Sequence, residues 1–359
     1  MFSSSAPHDA HIDIVYLWVD GNDPQWRAKR HSAAKLHGAI NTSEMALYGN
    51  VEGRFRDNDE LRYSLRALER HFPDHGHVYL VTDGQKPAWL RPSSRLTLVD
   101  HRELIPASQL PTFDSAHIES YVHRIPGLSE RFFYFNDDVF FGAPVQLDHW
   151  FWPGGVCATW SDDAEVEGTA LRSDENALEN ASRLSAQWLS RRPGYRHTPR
   201  TFAHSPRPLL KSLLQAAEAD APELFARARA TTFRNWASPT LVSDFVLRRA
   251  LAQGQLRMRE CAHLHVTTGC DDQAQQLEAL IAAAGALDFF CINDTTDDAH
   301  GHDPRLAKVR AALQTLFPLA SRFEQEPTVV VHSPTHAPMH TPHRHPRPVA
   351  RHPSASMKR

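Results

Sequence analysis

Apolar and polar residues follow one another in blocks along this chain, and the blocks alternate between strand and helix spacing. Residues 12–19 are β-branched and aromatic and predict a first strand, closed by the turn residues Asp20, Gly21 and Pro24. Residues 27–53 carry no clear period. Asp57 and Glu60 then stand at capping-box spacing before Leu61, Leu65, Leu68 and Phe72, which predicts a helix buried along that stripe. Strands are predicted at 77–82 and 95–99, each ending in an acidic residue, and a helix at 115–124. Phe132 to Phe135 run without a polar break, as in a strand buried on both faces; Asn136, Asp137 and Asp138 follow, and the apolar run resumes at 139–142. Residues 287–294 repeat the theme and end in Asn293 and Asp294. Helices are predicted at 209–225, 238–252 and 307–323, while 161–200 is hard to place. Strands ending in acids and followed by helical material predict an α/β fold with a doubly wound sheet, its acidic ends on one edge.

Composition narrows the function classes. The 359 residues can bury a sizeable core, and a net charge of −3 gives no basic field for nucleic acid. Four cysteines without a CxxC pair predict a reducing compartment. The first residues lack a signal peptide's apolar stretch, and no run approaches the ~18 residues of a membrane span. The expectation is a soluble, cytoplasmic protein: a flexible start at 1–11, one domain over 12–326, and a disordered tail at 327–359 rich in proline and histidine. Histidines such as His332 and His343 in that tail can trap Ni²⁺ or Zn²⁺ incidentally.

Candidate chemistry centres on Asp137 and Asp138. Adjacent carboxylates between apolar walls repel each other and are costly to desolvate, and a divalent cation with oxygen ligands removes the conflict. The alternative is a solvated turn capping a hairpin. Asn293 and Asp294 offer further ligands to the same ion, or close an edge strand. Trp18, Val19, Asp20 and Gly21 fit either a nucleotide's base and ribose or an Asp-Gly turn over core aromatics. Asp57, Asp59 and Glu60, crowded by Arg54, Arg56 and Arg62, fit a site at a helix start or a surface ion-pair cluster. Arg200, His204 and Arg207, in a proline-rich stretch, offer cations to a phosphate or are solvated loop charges.

Laid end to end, these stretches resemble the Stealth family of bacterial capsular and exopolysaccharide phosphotransferases, to which the animal N-acetylglucosamine-1-phosphotransferase is related. The matching stretches are IDIVYLWVDGNDP at 12–24, the long run from RFRDNDELRYSLRALERH to FFYFNDDVFFG at 54–142, FAHSPRPLLKSLL and TTFRN within 202–245, and FCINDTTDD onward at 290–323. The resemblance implies a GT-A-like nucleotide-sugar-binding sheet with helical insertions. It also implies transfer of a hexose-1-phosphate, such as N-acetylglucosamine-1-phosphate, from a UDP-sugar to a saccharide hydroxyl. By the same resemblance, Trp18, Val19, Asp20, Gly21 and Asp83 face the nucleotide. Asp137, Asp138, Asn293 and Asp294 hold Mg²⁺ or Mn²⁺. His204 is the general base, Arg234, Arg62 and Arg124 clamp phosphate, and Asp59 and Glu60 are alternative bases or position the arginines. Peripheral association with envelope polysaccharide machinery is expected. The rival readings are a GT-A glycosyltransferase that releases UDP and a non-catalytic glycan-binding protein.

Overall fold

The computed structural model describes residues 11–38 and 45–325. The expected flexible start (apart from residue 11) and the Pro/His-rich tail lie outside the described residues.

The strands in chain order are β1 (Asp13–Leu17), β2 (Val78–Thr82), β3 (Leu96–Asp100), β4 (Arg131–Asn136), β5 (Val139–Phe141) and β6 (Phe151–Trp152). They continue with β7 (Gly155–Ala158), β8 (Arg207–Leu210), β9 (Leu256–Met258), β10 (His263–Thr268) and β11 (Phe289–Asp294). The central sheet runs β3-β2-β1-β4-β8, parallel except for β8 at its edge. That order is the doubly wound arrangement the sequence predicts. β1 has β2 on one side and β4 on the other, so the winding reverses between β1 and β4, where such sheets open a crevice beyond their carboxyl ends. The register places Leu17 opposite both Val81 and Asn136, and Thr82 opposite Asp100, so the polar strand ends share one edge.

The unbroken aromatic run of β4 follows from its position. Phe132, Phe133, Tyr134 and Phe135 are all buried, Phe135 stacks on Tyr16 of β1, and Phe133 meets Phe141, Trp150 and Phe151 edge-on. At Asp137 the chain leaves this sheet. β5 pairs with β11 in a second sheet, β10-β11-β5, so β4 and β5 are not a hairpin and Asp137-Asp138 is not a hairpin turn. One face of the second sheet (Phe140, Val266, Phe290, Ile292) packs on the helices Glu60–His71, Gln273–Ala282 and Pro304–Leu316. Its other face (Val139, Phe141, Phe289, Cys291) joins the main core. Period-two alternation thus turns Cys291 away from Phe290 and Ile292 and toward the central sheet. A third sheet, β6-β7-β9, completes the fold.

Several local expectations needed correction. The helix over the Leu61 stripe begins at Glu60 after Asp59, which has φ 68° and makes no side-chain cap. The carboxylates turn back on their own loop instead: Asp57 Oδ1 accepts from Asp59 N at 2.9 Å and Glu60 Oε2 from Asn58 N at 2.6 Å. Residues 115–124 divide into the helix Ser115–Glu119 and a 3₁₀ turn, and 209–225 divides into the end of β8 and helices broken at Pro222. The last helix spans Pro304–Leu316, opened by Asp303 accepting from Arg305 N and stopped ahead of Pro318. Helices at Pro24–Gly38 and Ala177–Leu189 fill stretches that showed no period. No helix among the described residues is long and apolar enough to cross a membrane.

Candidate active site

Beyond the carboxyl ends of β1 and β4 lies a cleft of about 640 Å³. Its walls include Trp18 and Val19 after β1, Asn136 to Asp138 after β4, Glu60, His204, Arg234, Asn293 and Asp294. The stretches set out above therefore meet in one cavity although they lie up to 276 positions apart (294 − 18).

The cleft has an acidic side. Burial raises the carboxyl of Glu60 to about 8, helped by Asp57, which lies outside the lining and is itself raised to about 7 by burial and by Asp59. Burial and then Asp138, Glu60 and Asp57 hold Asp137 well above the usual range. Asp138 rises to about 6 through burial, restrained by His265 and by the Cys291 thiol. Its Oδ1 is shut off from solvent and has no hydrogen-bond partner among the described residues. Carboxyls that retain protons because they crowd one another form a set short of positive charge. The oxygen donors of Asp137 and Asp138 therefore fit a hard divalent cation.

Facing it is a cationic side. Arg54, Arg207 and Arg234 line the cleft; burial, and then these three arginines, push the His204 imidazole down to about 4. Burial and the neighbouring Arg234 lower the Arg54 guanidinium to about 9. Its Nε is buried without a partner, and among the described residues its side chain makes no ion pair. Arg234 is held by Ser115 Oγ at 2.5 Å and by Asp114 at 3.7 Å. An arginine without an ion pair among the described residues and an unpartnered carboxylate oxygen thus line the same cleft.

His204 sits between the two sides. Its Nε2 is 2.7 Å from Asn136 Nδ2 and its Nδ1 is 3.5 Å from Cys291 Sγ. Asn136 in turn contacts the Tyr134 hydroxyl at 2.8 Å, which donates to Glu119 at 2.9 Å.

The remaining sequence-derived candidates are placed differently. Asp294 lines the cleft, but Arg56 takes one carboxylate oxygen and Thr296 N and Oγ1 take the other, so it serves as Arg56's partner. Asp83 lines the cleft and pairs with Lys29 at 2.6 Å. Asp20 and Gly21 lie outside the lining. Asp20 Oδ1 closes a turn onto Asn22 N, and Gly21 N donates to Phe55 O at 2.6 Å, where a Cβ would come within 2.2 Å of that oxygen. Asp59 also lies outside. Arg62 is bound to Glu324, and Arg124 to Glu218 on another face. The resemblance did not assign Arg54, Arg207, Glu119, His265 or Cys291, which come from five separate segments. Arg54 carried a signal, since it opens the crowded RFRDNDE stretch; nothing in sequence marks Cys291 as facing His204.

Comparison with known proteins agrees with the sequence resemblance. Residues 10–38, 54–158 and 280–332 match the families described as Stealth protein conserved regions 1, 2 and 4. An exopolysaccharide phosphotransferase of Streptomyces coelicolor is 36% identical over 325 residues, covering 88% of this chain and 33% of that protein. The exopolysaccharide phosphotransferase CpsY of Mycobacterium tuberculosis is 34% identical over 328 residues, covering 89% of this chain and 60% of that one. The chain thus spans between a third and three-fifths of these relatives' length. Among solved structures, the galactosyltransferase LgtC, in complex with donor and acceptor sugar analogues, aligns with a TM-score of 0.41 and 9% identity over 87% of this chain and 98% of that one. Mouse xyloside xylosyltransferase 1 aligns with a TM-score of 0.36 and 12% identity over 78% of this chain and 97% of that one. At these scores the likeness is distant.

Proposed function

The chain belongs to the Stealth family, and we propose that it transfers a hexose-1-phosphate from a UDP-sugar to a saccharide hydroxyl in exopolysaccharide synthesis. The observation that carries this reading is the split charge of the cleft, with Asp138 Oδ1 unpartnered on one side and the Arg54 guanidinium unpaired on the other. A sugar pyrophosphate carrying a divalent cation supplies both missing charges at once.

In the transfer, the acceptor oxygen forms a bond to the β-phosphorus and the bond from that phosphorus to the bridging oxygen breaks, so UMP leaves and the sugar stays on its phosphate. Asp137 and Asp138 would hold Mg²⁺ or Mn²⁺, with Asn293 as a further oxygen donor at the cleft wall. The ion would supply charge neutralisation on the pyrophosphate. Arg54, Arg207 and Arg234, all in the cleft lining, would stabilise charge that develops on the phosphoryl oxygens. His204, kept neutral by burial and the three arginines, is the proposed acceptor of the hydroxyl proton, its ring set by Asn136. Trp18 and Val19 offer an apolar wall to the donor's nucleoside.

The test is the nucleotide released when the protein is supplied with a UDP-hexose, Mg²⁺ and a panel of sugar acceptors. UMP accompanied by a new phosphodiester supports the proposal. UDP would instead mean glycosyl transfer at the anomeric carbon.

A further inference from the structure

We propose that Asp138, His204, His265 and Cys291 form a second cation site, selective for a thiophilic divalent ion of the Zn²⁺ class and exclusive with the Mg²⁺ or Mn²⁺ position. Strand register builds it. His265 of β10 lies directly opposite Cys291 of β11, Cys291 lies opposite Val139 of β5, and Asp138 immediately precedes that residue, its carbonyl accepting from Ile292 N at 3.0 Å. Paired residues on neighbouring strands present their side chains on one face, so the imidazole and thiol converge; the Asp138 carboxylate, in the turn ahead of β5, joins them with Oδ2 3.6 Å from Cys291 Sγ. The donor atoms of His204, His265 and Cys291 all lie within 4.8 Å of one another.

Two of the six ligand-to-ligand edges already match those around a tetrahedral ion. A tetrahedron with Zn–S about 2.3 Å and Zn–N or Zn–O about 2.0–2.1 Å has sulfur-to-nitrogen and sulfur-to-oxygen edges of about 3.6 Å. Cys291 Sγ is 3.5 Å from His204 Nδ1 and 3.6 Å from Asp138 Oδ2. A set of two imidazoles, one thiolate and one carboxylate suits Zn²⁺ and not Mg²⁺, which takes oxygen ligands in octahedral geometry.

Supporting groups behind the ligands fit the same assignment. Histidines that bind metal through one nitrogen hold the other in a hydrogen bond, and His204 Nε2 is 2.7 Å from the Asn136 amide. In the structure Asn136 Nδ2 faces His204 Nε2 and Oδ1 accepts from the Tyr134 hydroxyl, so an ion on Nδ1 requires the amide to turn over: Nε2–H then donates to the amide oxygen, the amide nitrogen donates to the Tyr134 hydroxyl, and the single proton of that hydroxyl goes to Glu119. Binding converts the Cys291 thiol to thiolate, with its proton released to solvent.

The consequence is inhibitory. An ion held here takes the His204 Nδ1 lone pair and an Asp138 oxygen out of the transfer site, so Zn²⁺ suppresses Mg²⁺-supported turnover. This consequence rests on the transfer reading above; the site itself does not.

Co²⁺ titration of the full chain tests the site. The expected result is a tetrahedral ligand-field spectrum with a thiolate-to-cobalt charge-transfer band, which Cys291→Ser abolishes. His265→Gln should weaken affinity at least about tenfold. Histidines near the carboxyl terminus cannot produce the thiolate band. In the wild-type protein, Zn²⁺ should also protect Cys291 from alkylation, slowing the reaction that this buried thiol undergoes through local opening, a readout that needs no variant to fold. Absence of the band and of protection, or a band that survives Cys291→Ser, overturns the site. A wild-type band with turnover indifferent to Zn²⁺ overturns the exclusivity. If no Mg²⁺-supported transfer is found at all, the transfer reading fails, while the band and the protection still decide the site.

Discussion

Replacing Arg54 by methionine separates a functional from a structural role for the cleft's unpaired cation. Among the described residues Arg54 makes no ion pair, and burial with the nearby Arg234 brings its guanidinium down to about 9. The folded state therefore carries a poorly compensated charge. Removing it while keeping an apolar chain of similar length should leave stability unchanged or raise it by a few tenths to ~1 kcal/mol. Arg56 is the matched control. It is the buried partner of Asp294, and it also donates to Thr296 Oγ1 at 2.9 Å and Ala299 O at 2.7 Å. Arg56→Met strands the Asp294 carboxylate and should cost about 3–5 kcal/mol. In turnover, Arg54→Met should lose about 10²–10³-fold, or about 2.7–4 kcal/mol, the size of one donor to a developing oxyanion. The assay is nucleotide release at saturating donor and Mg²⁺, beside urea unfolding midpoints of both variants. If Arg54→Met unfolds as early as Arg56→Met and retains its turnover, the guanidinium is structural and the split-charge argument fails.

Three further outcomes follow from the same geometry. Asp138→Asn removes one of two crowded carboxylates, so the fold should persist while Mn²⁺ affinity measured by calorimetry drops at least about tenfold and turnover is lost; undiminished Mn²⁺ binding would move the ion elsewhere. His204→Ala should lower turnover by about 10²–10⁴-fold with donor affinity little changed, and equal loss in both would make His204 a binding group instead. Acid stability should depend on Glu324: burial would raise its carboxyl, but hydrogen bonds from Arg66, the Ser321 amide and Arg62 hold it at about 2. A depressed carboxyl stabilises above its unfolded pKa, so about 3 kcal/mol should be lost as pH falls from about 4.5 to about 2, and Glu324→Gln should flatten that limb. An unchanged acid limb in the variant would assign the loss to other groups.

Legibility in the sequence followed how local the determinants are. β4 could be read because four successive aromatic residues are buried on both faces, and its Asn-Asp-Asp end pointed to the cleft. The helix Pro24–Gly38 was not legible because its few buried positions, Trp26, Arg30 and Ala33, pack on a small separate cluster and leave little periodic signal. β10 was not legible because only two aliphatic residues, Leu264 and Val266, mark its inner face, too short an alternation to stand out among histidines and threonines. The carboxylates at the start of the helix Glu60–His71 looked like a cap, yet they bind their own loop and are crowded by Asp137 from the turn between β4 and β5, a tertiary effect. Arg62 and Arg124 illustrate the same limit. An arginine in a charged stretch reads alike whether it faces a cleft or a carboxylate on a distant segment, as these do with Glu324 and Glu218.

The most direct test of the transfer account follows the β-phosphorus of the donor. A UDP-hexose labelled there with ³²P, incubated with the protein, Mg²⁺ and a saccharide acceptor, should pass its label to the acceptor in a phosphodiester while unlabelled UMP is released. Label retained in UDP, with the sugar alone transferred, would contradict the account.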